Sequence, residues 1–150
     1  MTIKEQLEKD IKTAMLAGEK TLVTTLRGLK SVILYAEVAS GDREAGLPEE
    51  QVISLLQKEA KKRQESADLY RTGNNIEKAE HEEAEKKVID QYLPQQLSEE
   101  DVRSLVEEEA TKMGTPTLQQ MGQLIGAVKQ ASGGAADGAV IARLVKERLA

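Results

Sequence analysis

Tyr92-Leu93-Pro94-Gln95-Gln96-Leu97-Ser98-Glu99-Glu100-Asp101 is the stretch where local chemistry forces a change of direction between two long helical regions. Pro94 has no backbone N–H and disfavours α geometry at Leu93, so a helix running up to Tyr92 is expected to stop there. Ser98 has the residue type of an N-cap. Asp101, three residues on, completes a capping box with a shortened acid. Leu97 and Val102 are spaced as a hydrophobic staple, and Glu99, Glu100 and Asp101 put negative charge at the positive end of the next helix dipole. The same letters also suit an ordinary inter-helix loop.

Working back from this junction, Thr2-x-x-Glu5 reads as a capping box, followed by Ile3, Leu7, Ile11, Ala14 and Met15 at helical spacing, with Gly18 as the stop. A second helix carries Leu22, Leu26, Leu29, Ile33 and Ala36, with Val23, Val32 and Leu34 widening its apolar face and Gly41 at its end. Asp42 to Gly46 reads as a polar loop. Pro48, Glu49 and Glu50 open a long third helix in which Leu56, Ala60, Ala67 and Tyr70 share a face with Arg63. Gly73 closes it. Asn74-x-x-Glu77 is expected to begin a fourth helix whose seam holds Glu82, Glu85, Ile89 and Tyr92.

Forward of the junction, Val102, Leu105, Val106 and Met113 mark a fifth helix that stops at Gly114. Thr117-x-x-Gln120 caps a sixth with Leu118, Met121, Ile125 and Val128 inside, and Gly122 and Gly126 form a smooth patch that would let a neighbouring helix approach. Asp137 caps a seventh containing Ile141, Leu144 and Val145. No segment alternates as a strand does, and no internal repeat is evident. The expected fold is all-α: an antiparallel four-helix portion over residues 1–93 and a three-helix portion over residues 97–150.

Composition agrees. Hydrophobic residues make up 39% and charged residues 31%, with three Tyr and no Phe or Trp, so any core must be aliphatic. No apolar run approaches the ~20 residues of a membrane span, so no membrane partner is expected. The absence of cysteine excludes thiolate chemistry, and with no secretory apolar core near Met1-Thr2-Ile3-Lys4-Glu5 it suggests a cytoplasmic protein. Net charge is −5, unevenly spread. Residues 111–150 hold five basic and two acidic groups, 5 − 2 = +3, and residues 1–110 hold 16 basic and 24 acidic, 16 − 24 = −8.

The junction Tyr-Leu-Pro-x-x-Leu-Ser-Glu-Glu resembles that of the YqeY family and of the related tail domain of the B subunit of glutamyl/aspartyl-tRNA amidotransferases. Further matching pieces are Lys12-x-Ala14-Met15, Leu26-Arg27, Lys62-Arg63-x-x-Ser66, Glu82-x-x-Glu85, Met121-Gly122 and Ala136-Asp137-Gly138. Their order and spacing span nearly the whole chain. The resemblance implies the same two-part helical division. It also implies a capacity to engage tRNA through the C-terminal part, because the amidotransferase tail does so.

Chemistry-bearing constellations are sparse. His81 with Glu82 and Glu85 does not make a dimetal site, which would need a Glu-x-x-His arrangement on each of two helices; a helical glutamate run is more often a solvated face, and no metal is expected. No serine stands in a Gly-x-Ser-x-Gly turn, and the glycine-rich stretches do not follow strands, so neither a catalytic centre nor a cofactor is expected. Arg27, Arg63, Ser66, Glu82 and Glu85 form a candidate polar cluster. Arg63 is expected to reach Glu82 or Glu85, with Arg27 as a competing partner. The structural role is favoured over an RNA-contacting one because the acidic neighbours would weaken phosphate binding. If the pair is fully buried, truncating one partner costs ~3–5 kcal/mol.

Three functional readings follow: an RNA-binding accessory module engaging tRNA, a protein-interaction module docking on a larger assembly, and an amidotransferase subunit active only in complex. DNA is not expected as a partner. The candidate RNA contacts are Lys129, Arg143 and Lys146, with Arg148 placed nearer the apolar face; a merely solubilising surface is the alternative. With few aromatics for base stacking, recognition would rest on RNA shape and backbone.

Overall fold

The computed structural model of the protein describes residues 1–41 and 44–150; Asp42 and Arg43, in the polar loop read from the sequence, lie outside the described residues. Among the described residues the elements are α1 (Ile3–Leu16), α2 (Lys20–Ser40), α3 (Glu49–Thr72), α4 (Ile76–Asp90), α5 (Glu99–Lys112), a 3-10 turn (Leu118–Gln120), α6 (Met121–Ser132) and α7 (Gly138–Leu149). No strand occurs among them, and none of the helices is long and apolar enough to cross a membrane. The chain divides into two compact units, Met1–Leu93 and Pro94–Ala150.

In the first unit, Thr2 starts α1 with a complete capping box: its hydroxyl accepts from Glu5 N at 3.2 Å, and Glu5 Oε2 accepts from Thr2 N at 3.1 Å. The core consists of Leu7, Ile11, Ala14, Val23, Leu26, Leu29, Ile33, Val52, Leu56, Ala60 and Ile89, with Ile3, Leu22, Leu47, Val88, Tyr92 and Leu93 packed around it. The buried line of α2 runs through Val23, Leu26, Leu29, Ile33 and Glu37, with Leu22 and Ala36 at its margin. Met15 and Leu34, expected inside, are exposed, because each lies at the edge of its helix's buried stripe where no neighbouring helix covers it.

The turn between α3 and α4 departs from the sequence reading by one residue. Asn74 takes a left-handed conformation, φ 61°, and the cap is Asn75, whose Oδ1 accepts from Lys78 N at 3.3 Å. Asparagine tolerates positive φ better than other non-glycine residues, which lets the first Asn make the turn and the second cap the helix. At the other end, α4 finishes at Asp90, short of Tyr92, and the Tyr92 and Leu93 amides donate to the Ile89 and Asp90 carbonyls.

In the second unit, Ser98 Oγ caps α5 by accepting from Asp101 N at 3.1 Å, and Leu97 packs on the core that contains Val102. The Leu97 amide also donates to Ala135 O at 2.8 Å, tying the start of α5 to the turn before α7. The core is Val102, Val106, Ala110, Leu124, Val128, Ala136, Ile141, Leu144 and Val145. Leu124, not among the residues read as inside, is fully buried, whereas Leu118, expected inside, is 55% exposed in the 3-10 turn. Gly122 and Gly126 face outward, and nothing lies within 4 Å of a Cβ added at either. They stand on the side of α6 opposite Leu124 and Val128, so the smooth patch serves no helix within the unit.

Leu124→Ala is expected to destabilise the protein by about 2–5 kcal/mol in chemical denaturation, because Leu124 is fully buried. A polypeptide of residues 94–150 alone is expected to show a helical circular dichroism spectrum with low thermal stability, since a core of this size is marginal. A random-coil spectrum would count against the second unit being an independent domain.

Candidate functional site

The three candidate RNA contacts lie on α6 and α7, and their surroundings differ. Lys129, in the last turn of α6, is exposed and extends over the start of α7: its Cε lies 3.5 Å from where a Cβ on Gly138 would stand. Lys146, in the last turn of α7, is exposed. Among the described residues neither lysine has a carboxylate partner. Arg143 is exposed too, but it is shared between Glu99 at the start of α5 and Glu147 on its own helix, the latter at 3.3 Å. Glu147 in turn receives Arg103 at 3.8 Å, and Arg148 donates to Glu107 at 2.6 Å. Arg148 is therefore an exposed residue paired across to α5.

The polar cluster assembles around one arginine. Arg63 Nη1 stands 3.3 Å from Glu82 Oε2 and 3.2 Å from Glu85 Oε2, linking α3 to α4, and Arg63 Nη2 is 4.0 Å from Glu59. Arg27 stands apart, its guanidinium donating to Met15 Sδ at 3.4 Å, and Ser66 is half-buried one turn along α3 from Arg63. The side chain of Arg63 is 37% exposed, so the full penalty of a broken buried pair does not apply to it. Farther along the same hairpin, Arg71 holds Glu83 with two hydrogen bonds of 2.8 and 2.9 Å. These bonds pull the Glu83 carboxyl below its ordinary pKa. The Lys78 ammonium sits 5.7 Å from the centre of the Tyr70 ring.

Among the polar contacts not read from the sequence, two are part-buried and long in sequence separation. Glu37 is 1% exposed, and its carboxylate receives the Lys4 ammonium at 2.9 and 3.3 Å. The helical step from Leu29 and Ile33 to Glu37 puts it on the buried line, and that period is the signal that could have found it. The same end of the unit carries a bond from Ile3 N to Glu49 Oε1 at 3.2 Å. Second, the Tyr92 hydroxyl donates to Asp10 Oδ2, joining the junction to α1. Burial and the adjacent carboxylate push the Tyr92 pKa well above its ordinary value.

An open groove lies between the start of α2 and α4, lined by Lys20, Thr21 and Thr25 on one side and His81, Glu85 and Val88 on the other. His81 Nε2 is 3.4 Å from Glu85 Oε1. Among the described residues no group of three or more His, Cys, Asp or Glu side chains converges as a metal site requires.

The family described as Yqey-like protein matches residues 4–149. The chain belongs to the YqeY family. It is also 32% identical over 117 residues to "Altered inheritance of mitochondria protein 41, mitochondrial" from Lachancea thermotolerans. That similarity covers 75% of this chain and 62% of the relative, so it spans less than two thirds of the longer protein. The YqeY family match takes in both helical units and the junction at Pro94.

Arg63→Ala is expected to lower stability by about 1–2 kcal/mol, between the values for exposed and for buried pairs, and unchanged thermal unfolding would remove the cluster's structural role. Lys4→Ala leaves the buried Glu37 carboxylate unpaired and should cost more, about 2–4 kcal/mol after allowing for the partial exposure of Lys4. Tyr92→Phe should cost about 1 kcal/mol below pH 9, the worth of one hydrogen bond to a charged but partly solvated acceptor. The folded state holds the Tyr92 proton more tightly than the unfolded chain. Its contribution is therefore complete below the unfolded pKa of about 10 and disappears as pH rises through the higher folded value. A stability–pH series should show an alkaline decline that is smaller in Tyr92→Phe.

Proposed function

We propose that this YqeY-family chain is a non-catalytic RNA-binding accessory protein that engages tRNA through the surface formed by Lys129, Arg143 and Lys146. The observation that carries this reading is the charge of the C-terminal stretch. Residues 111–150 have a net charge of 5 − 2 = +3 in a chain of −5, and Lys129 and Lys146 are exposed with no carboxylate partner among the described residues. Phosphate competes for such cations at little cost. Arg143 is compatible with the same role, because exposed ion pairs are worth only ~0–1 kcal/mol and a phosphate oxygen can displace Glu99 or Glu147. The resemblance to the tail of a tRNA-dependent amidotransferase supplies the class of RNA, and the chain would assist such chemistry from outside the active site of another protein.

The relative named above is called mitochondrial, and the absence of cysteine in this chain suits the cytoplasm; backbone recognition by two lysines and an arginine works in either compartment. The test is tRNA binding by the intact chain over a salt series. Binding is expected to be weak, with a log–log slope of about −2 to −3 from release of counterions at three contacts. The combined Lys129→Ala, Arg143→Ala and Lys146→Ala variant should lose most of that affinity. Binding that survives all three changes with the same slope would remove the assignment.

A further inference from the structure

The cations of the second unit divide by chemical type. Its three arginines, Arg103, Arg143 and Arg148, are each engaged by a glutamate, whereas Lys129 and Lys146 have no carboxylate partner among the described residues. Two of the arginines belong to one chain of contacts across α5 and α7. Arg143 Nη2 holds Glu99, at the start of α5, and Arg143 Nη1 stands 3.3 Å from one oxygen of Glu147; the other Glu147 oxygen lies 3.8 Å from Arg103. All four side chains are about half exposed, at 48–56%, so these pairs add little to stability. The two helices are already joined through the apolar core of the unit. Fold stability therefore does not account for two carboxylates on the one arginine of the proposed tRNA surface.

We propose that Glu99 and Glu147 act as a built-in competitor for phosphate and so set how tightly the chain holds RNA. The inference rests on the tRNA-binding reading above and concerns the regulation of that same surface. A guanidinium presents a planar fork of N–H donors that fits two oxygens at once, and it accepts a carboxylate and a phosphate alike. On Arg143 both ends of the fork are taken, one by Glu99 and the other by Glu147. A phosphate can use this fork only by displacing both carboxylates, which then stand beside it as like charges. The two lysine ammonium groups carry no such penalty. The surface thus has two grades of contact: Lys129 and Lys146 are open, and Arg143 is closed until phosphate wins it. Displacing Glu147 also loosens Arg103, so the exchange frees a further guanidinium. A single phosphate gains little from this exchange. A folded RNA already anchored on the lysines delivers its next phosphate at high local concentration and can complete it. The device therefore disfavours isolated anions and short flexible strands more than it disfavours a structured RNA.

The test is tRNA binding over a salt series by three intact proteins: the wild type, Glu99→Gln with Glu147→Gln, and Glu100→Gln with Glu108→Gln. The last two changes remove the same charge from exposed glutamates of α5 that have no ion pair among the described residues. Each competing pair is worth up to about fivefold in an equilibrium. Glu99→Gln with Glu147→Gln should therefore bind about 5–20-fold tighter than the wild type, with a log–log salt slope steeper by about one. The control should gain no more than about twofold from its change in net charge. Adding Arg143→Ala to the first variant should remove most of its gain. Glutamine keeps the size of glutamate and an accepting oxygen, so circular dichroism melts of both double variants should stay close to that of the wild type. Wild-type binding with an equal gain in both double variants, or a gain that persists without Arg143, overturns the competitor and leaves the tRNA surface standing. No tRNA binding by any of these proteins removes both.

Discussion

The buried side chains of both cores are aliphatic, with one aromatic ring, Tyr92, packed only at the edge of the first, and that constraint shapes much else. The large apolar side chains fully buried in the first unit are Leu7, Leu26, Ile33, Leu56 and Ile89, and those in the second are Val102, Val106, Leu124, Val128, Ile141 and Val145. A Phe or Trp can bridge helices that stand well apart; branched aliphatics cannot, so the helices must come close. Alanine makes that approach possible. Ala14, Ala60, Ala67, Ala79 and Ala110 are all buried, and Ala67 and Ala79 are the buried residues along the distal part of the α3–α4 hairpin.

Where the buried side chains are this small, the flanks are held by charge. Arg63 gathers Glu82 and Glu85, and Arg71 grips Glu83, so α3 and α4 are laced along a seam whose apolar content is slight. These pairs are partly solvated and individually weak, and they act by fixing register more than by adding stability. Glu37 is the exception. With its carboxylate almost wholly out of water, the Lys4 ammonium is a condition of its burial, and the contact closes the end of the unit where α1 begins and α2 finishes.

The same economy of cations bears on function. In the second unit Arg103, Arg143 and Arg148 are each matched to a glutamate, whereas Lys129 on α6 and Lys146 on α7 have no carboxylate partner among the described residues. In the proposed tRNA complex, phosphates would meet these two ammonium groups first and then an arginine they must win from Glu99 and Glu147. Affinity built this way depends strongly on salt and carries little base preference, which suits an accessory role more than a sequence-reading one.

The order and type of the helices were legible in the sequence, because they follow from local rules: caps at Thr2, Ser98 and Asp137, glycine stops at Gly18, Gly41 and Gly114, and the break at Pro94. Apolar period located the buried faces to within one position, and it failed at Leu34, Leu118 and Met15, where a hydrophobic residue lies at the edge of a stripe and only the neighbouring helix decides whether it is covered. The division of labour between Asn74 and Asn75 was equally invisible, since both residues suit a cap and the turn geometry selects between them. Polar partnerships lay farthest from the letters. Lys4 and Glu37 are 33 residues apart, and Tyr92 and Asp10 are 82 apart. Which carboxylate an exposed arginine takes, and which lysine is left without one, depends on how helices dock side by side. Helical period and capping are properties of neighbouring residues along the chain, and they can be read from it. Pairing across helices is a property of packing, and only the tertiary structure decides it.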